Sequence, residues 1–186
     1  MSEIRVFISI PIPDRSPLEP LSEMLGTMRN TRPSPLDQVH ITLRFIGDVD
    51  ESRIDDIEDC VRRAVDGMDP FTVRVSDVGA FPREERPSVV WVGASPRKEL
   101  ALLADRIGRN LDDAGIPYDR KPFKPHITIA RCKGPADLSA FFDRFSGCEL
   151  LDFECDRVLV MRSVLGPRGA THSVLRETYL RSDRHP

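Results

Sequence analysis

No surplus of basic charge marks this chain: 27 Lys and Arg face 30 Asp and Glu, a formal net charge of −3. Sequence-independent grip on long nucleic acid needs many phosphate contacts, so that class is excluded, while a local basic pocket for one phosphate is not. Long apolar runs are missing too. The opening "MSEIRVFISIPIPDRS" alternates too soon for a transmembrane helix and lacks the basic, apolar, small-residue layout of a signal peptide. The expected location is the cytoplasm, with no membrane partner. Cys60, Cys132, Cys148 and Cys155 form no C-x-x-C pair and have no histidine at zinc-finger spacing, so they are expected to be reduced and packed, with no metal. A Gly-rich phosphate loop, an H-E-x-x-H helix and low-complexity tracts are also absent.

What remains is ordinary globular material, 40% hydrophobic and 31% charged over 186 residues. That length and composition fit one domain over residues 1–186, with room for two lobes around a real core.

Apolar periodicity lays out the elements. "IRVFISIP" at 4–11 reads as a strand. In "SPLE", Ser16, Pro17 and Glu19 have the spacing of a capping box, and Leu18, Leu21, Leu25 and Met28 continue it as a helix over roughly 17–29. "TRPSPLD" reads as a break before the strand "QVHITLRFIG". Asp50 can cap a second helix striped by Ile54, Ile57, Val61 and Ala64. "FTVRVSDVGAFP" and "SVVWVGA" read as a hairpin around the loop "REERP". Ser95 and Pro96 open a third helix, with Leu100, Leu103, Ile107 and Leu111 on one face and Gly115 as its stop. "PFKPHITIAR" is the next strand, and Leu138, Phe141, Phe142 and Phe145 mark a short helix ended by Gly147. "FECDRVLVMRSVL", a turn at "GPRG" and "THSVLRETYL" close the chain as a hairpin. Tight connections favour an α+β fold with antiparallel sheet. The rough halves 1–80 and 81–186 each place an H-x-T strand beside a helix, which hints at two similar lobes.

"HITLRFIG" begins at His40 and "HITIAR" at His126. Period two puts Val39, Ile41, Leu43 and Phe45 on one face and His40, Thr42 and Arg44 on the other. In the second strand His126 and Thr128 share a face opposite Ile127 and Ile129. Strict alternation sets Arg131 on the Ile face unless a bulge or the strand's end redirects it. Two imidazoles near neutral pH suit in-line attack on phosphorus, one as base and one as acid, each contributing ~10²–10⁴-fold. Thr42 and Thr128 are hydroxyl donors beside them, and Arg44 and Arg131 are candidate partners of phosphate oxygens. The scheme requires neither metal nor cofactor. His172 has no Thr at +2 and no partner motif, and reads as structural or surface; His185 falls in the tail. Phe123 can stack a base but reads first as a packed aromatic.

The pair His40-Ile41-Thr42-Leu43 and His126-Ile127-Thr128-Ile129 resembles the two H-x-T-x motifs of the 2H phosphoesterase superfamily. More narrowly, with "RVFISIPIP", "VVWVG", "FKPHITIAR" and "VLGPRGATHSVL", the chain is similar to the RNA 2′,3′-cyclic phosphodiesterases, also called 2′-5′ RNA ligases. The resemblance implies a bilobal fold of two antiparallel sheets facing a central cleft, with helices outside. It implies metal-independent hydrolysis of RNA 2′,3′-cyclic phosphate ends to 2′-phosphomonoesters; separately, the chain is expected to be a monomer. It makes His40 the proton donor to the departing 3′ oxygen and His126 the base for water. Reversible 2′-5′ joining of RNA, such as tRNA halves, ranks second. The loop "TRPSPLDQV" lacks the aromatic residue such a relative leads one to expect, so no base contact is assigned there. The competing functions are a non-catalytic RNA- or nucleotide-binding module and a 2H phosphodiesterase acting on a small cyclic nucleotide.

Overall fold

The computed structural model describes residues 2–181, and His185 lies outside them. Thirteen longer elements follow in chain order: β1 Glu3–Pro11, α1 Glu19–Gly26, β2 Thr31–Pro33, β3 His40–Asp50, α2 Ile54–Val65, β4 Phe71–Arg83, β5 Arg86–Ser95, α3 Arg97–Asp113, β6 His126–Cys132, α4 Ser139–Phe145, β7 Glu149–Cys155, β8 Arg157–Gly166 and β9 Gly169–Tyr179. The strands form a four-stranded sheet, β3-β1-β8-β9, and a five-stranded sheet, β2-β6-β5-β4-β7. Every pairing is antiparallel. The fold is therefore α+β, as the tight connections implied.

The lobes do not follow the halves 1–80 and 81–186. Both ends of the chain supply the first sheet, and its middle supplies the second. The run "FECDRVLVMRSVL", read as one strand, breaks at Asp156 into β7 of one sheet and β8 of the other. Its apolar pattern resumes directly after Asp156, so local periodicity carries no trace of the switch. "TRP", read as a break, forms the short edge strand β2 against β6.

Helix starts were partly legible. Asp50 Oδ1 accepts from the Ser52 backbone N–H at 2.9 Å and opens the turn into α2, as expected. The Ser16 capping box does not form. Asp14 Oδ1 accepts from both the Ser16 N–H at 3.0 Å and its hydroxyl at 2.7 Å, and no side chain caps the helix start. A carboxylate is the stronger acceptor. A 3-10 turn at Ser16–Leu18 then precedes α1, which ends at Gly26 and not at 29.

Helices α2 and α3 pack on each other and on the first sheet, while α1 and α4 lie on the second. Ile57, Cys60 and Val61 from α2 join Leu103 and Ile107 from α3 in one continuous core with Ile8, Ile41 and Ile127 of the sheets. Helices thus cover the outer faces, and the polar faces of β3 and β6 are left to line a cleft.

Trp91, the sole tryptophan, packs flat over Gly79, its cross-strand partner in β4–β5. A Cβ at residue 79 would stand 2.2 Å from Trp91 Cζ2, so any side chain there must displace the indole. Gly79→Ala is expected to lower unfolding free energy by about 1–3 kcal/mol and shift the Trp91 emission. Denaturant unfolding followed by fluorescence checks this; an unchanged midpoint would show that the ring yields freely.

Candidate active site

Each motif begins where its strand begins, and its histidine is held in the same way. His40 Nδ1 donates to the Gln38 carbonyl at 2.7 Å, and His126 Nδ1 to the Lys124 carbonyl at 2.6 Å. A carbonyl only accepts, so Nδ1 must carry the proton in both rings. The neutral tautomer then leaves Nε2 as the free lone pair. On His40 that atom lies 2.8 Å from Thr42 Oγ1.

Aromatic rings back both imidazoles. His40 stacks on Phe7 of β1 at 4.8 Å and 26°. His126 meets Phe81 of β4 edge-on at 5.1 Å, and Phe81 leans in turn on Trp91. These walls fix the rings and dry them. Burial pushes the His40 pKa down to about 4, with the positive charge available to His172, Arg15 and His126 adding to the effect. Burial likewise lowers His126 against the opposing pull of the Lys124 carbonyl, and Arg131 lowers it further. At neutral pH both rings are uncharged in the free protein.

A bulge directly after each threonine decides which arginine reaches the cleft. In β1–β3, Ile8 pairs with Arg44 and Ser9 with Thr42, leaving Leu43 as the extra residue. In β5–β6, Val90 pairs with Ala130 and Trp91 with Thr128, leaving Ile129 as the extra residue. Both bulges fall at the third position after the histidine and reverse the alternation beyond it. In β3 the fourth position, Arg44, turns to the helix side, and in β6 the fifth, Arg131, turns to the cleft. Arg131, at the fifth, lines the cleft beside His126 and Thr128.

Arg44, at the fourth, does not line the cleft, contrary to the strict alternation read from the sequence. Its Nε donates to the Ala104 carbonyl of α3 at 2.8 Å, and its guanidinium lies over Tyr118 at 5.0 Å. Gly108 leaves the space, since a Cβ there would come within 3.1 Å of Arg44 Nη2. Arg44 fastens α3 to the first sheet.

The cleft encloses about 660 Å³, the size of a nucleotide-scale pocket. It gathers His40, Thr42, His126, Thr128 and Arg131. Three further lining residues escaped the sequence reading. His172 was read as structural or surface, yet its ring meets His40 edge-on at 5.3 Å and Phe7 at 4.8 Å. Its pKa is lowered by burial. Arg32 and Arg168 stand in segments read only as a break and a turn, with no local signal of a place in the cleft. Phe123 packs against the core, as first read. All four cysteines are unbridged. Among the described residues no group of three or more His, Cys, Asp or Glu is arranged to hold a metal, and no helix is long and apolar enough to cross a membrane.

A family model described as the 2′-5′ RNA ligase superfamily matches residues 15–167. The chain belongs to that superfamily. It is 28% identical to an RNA 2′,3′-cyclic phosphodiesterase of Archaeoglobus fulgidus, over 93% of this chain and 98% of the relative. An Aeropyrum pernix protein of the same name is 34% identical over 76% and 81% of the two chains. The crystal structure of TT0787 of Thermus thermophilus superposes with a TM-score of 0.84 at 29% identity, covering 97% of this chain and 100% of that one. The superfamily's two-sheet architecture is the one described above.

The depressed pKa of His40 has a consequence for stability. A histidine lowered on folding contributes stability that is complete above its unfolded value of ~6.5 and is lost as pH falls toward the folded value. For a folded value of about 4 the loss amounts to ~3 kcal/mol. Wild-type unfolding free energy should therefore fall between pH 7 and 4 more steeply than that of His40→Gln. Parallel curves for the two proteins, from denaturant titrations at each pH, would contradict the buried neutral state.

Proposed function

We propose that the protein hydrolyses RNA ends bearing a 2′,3′-cyclic phosphate to 2′-phosphomonoesters, using two histidines and no metal. The observation that carries this reading is the matched anchoring of His40 and His126, whose Nδ1 atoms are tied to carbonyls so that both Nε2 atoms serve one cleft. The names of the relatives, RNA 2′,3′-cyclic phosphodiesterase, give the substrate class.

In the proposed reaction His126 Nε2 takes a proton from water as its oxygen bonds to phosphorus. The bond from phosphorus to the 3′ oxygen breaks, and His40 Nε2–H gives that oxygen its proton. One water is consumed, and the imidazoles exchange protonation states until solvent resets them. The division of labour follows the family resemblance. Thr42 and Thr128 donate hydroxyl hydrogen bonds to the non-bridging oxygens, and Arg131 adds a charged donor. His40 must be protonated to act, although burial disfavours that in the free protein. The anionic substrate supplies the opposite charge that raises its pKa on binding. Replacing water by a 5′-hydroxyl gives the ligation direction, which ranks second. A non-catalytic binding module would have no need of two imidazoles anchored alike through Nδ1 in one cleft.

The test is an oligonucleotide ending in a 2′,3′-cyclic phosphate, incubated with excess EDTA and followed by chromatography. Wild type should convert it to the 2′-phosphate. His40→Ala and His126→Ala should each lose ~10²–10⁴-fold in kcat/KM while keeping the wild-type circular dichroism. Binding without conversion, or near-wild-type turnover by either variant, would overturn the reading.

A further inference from the structure

The cleft holds more positive charge than one reacting phosphate requires. Its lining contains three arginines, Arg32, Arg131 and Arg168, and no Asp or Glu, in a chain whose acids outnumber its bases. None of the three forms an ion pair among the described residues. Arg32 and Arg131 are direct cross-strand neighbours in β2–β6, a placement that costs stability when nothing lies between the like charges. Arg32 Nη2 also donates to the Arg168 carbonyl at 2.6 Å. That bond runs from the edge of the second sheet to the β8–β9 turn of the first, so it straps the cleft at one end and gathers the cations there.

Arg131 belongs with His126 and Thr128, and the other two arginines lie outward of it: Arg32 pairs with it from the edge strand β2, and Arg168 sits in the β8–β9 turn. A cyclic phosphodiester carries a single negative charge, which the imidazoles, threonines and Arg131 already serve. We propose that Arg32 and Arg168 form a second phosphate subsite, one that takes the phosphate on the 5′ oxygen of the terminal nucleoside. This rests on the cyclic-phosphate reading above and deepens it: the preferred substrate carries two phosphates, either as an RNA end or as a 5′-phosphorylated nucleotide.

Three substrates separate the sources: a nucleoside 2′,3′-cyclic phosphate, the same compound with a 5′-phosphate, and a dinucleotide ending in the cyclic phosphate. In wild type the two-phosphate substrates should exceed the first in kcat/KM by about tenfold or more, the worth of one or two charge-assisted hydrogen bonds. The larger of the two gains identifies the source. In Arg32→Gln and Arg168→Gln that ratio should fall toward one. In Arg109→Gln, which breaks only a surface pair with Asp105, it should persist. Arg168→Gln keeps the carbonyl that Arg32 uses, so it reports the charge without cutting the strap. The same ratio is read without turnover from calorimetric affinities for a nucleoside 2′-phosphate and its 2′,5′-bisphosphate. If no cyclic phosphate is hydrolysed but the bisphosphate advantage depends on the two arginines, the hydrolase reading fails and the subsite stands. Equal wild-type affinities, a ratio unmoved in both variants, or a gain for the dinucleotide without one for the 5′-phosphate would overturn the subsite.

Discussion

A backbone carbonyl accepts hydrogen bonds and never donates them, and in both motif strands one lies two residues before the histidine. The Gln38 and Lys124 carbonyls therefore fix the proton on Nδ1 of His40 and His126, leaving Nε2 of each ring as the atom that the proposed reaction uses. The aromatic walls act on rings already oriented. Phe7 and Phe81 remove water from them, and burial favours the neutral form of both imidazoles. Chemistry at phosphorus needs that combination: fixed direction, low cost of reorganisation and a charge state that answers to the substrate.

The second organising constraint is the bulge after each threonine. Arg44 and Arg131 stand at unlike distances from their histidines, while the two backbones behave alike, each with its extra residue at Leu43 or Ile129. One offset sends a side chain to the helices and the other sends it to the cleft. Arg44 thus holds α3 in place, and Arg131 stands beside the motif threonine. The site is asymmetric in side chains and repeated in backbone.

Period-two alternation made the faces of His40, Thr42, His126 and Thr128 legible, because it is a property of each strand alone. Where a bulge falls depends on the partner strand, so the directions of Arg44 and Arg131 could not be settled from either motif. His172 reaches His40 only because β9 pairs with β8 and β8 with β1, contacts that join the two ends of the chain. Arg32 and Arg168 meet only because the two sheets interleave the sequence. The helices were read well where apolar stripes are regular, as in α2 and α3, and poorly at Ser16, where a neighbouring carboxylate took the hydroxyl for itself.

The central claim is that two Nε2 atoms address one phosphorus. A crystal structure with a nucleoside 2′-monophosphate bound tests it most directly. The phosphate is expected between the motif strands, with its oxygens within about 2.7–3.2 Å of both His40 Nε2 and His126 Nε2. A phosphate held by one histidine alone, or by neither, would contradict the two-histidine site.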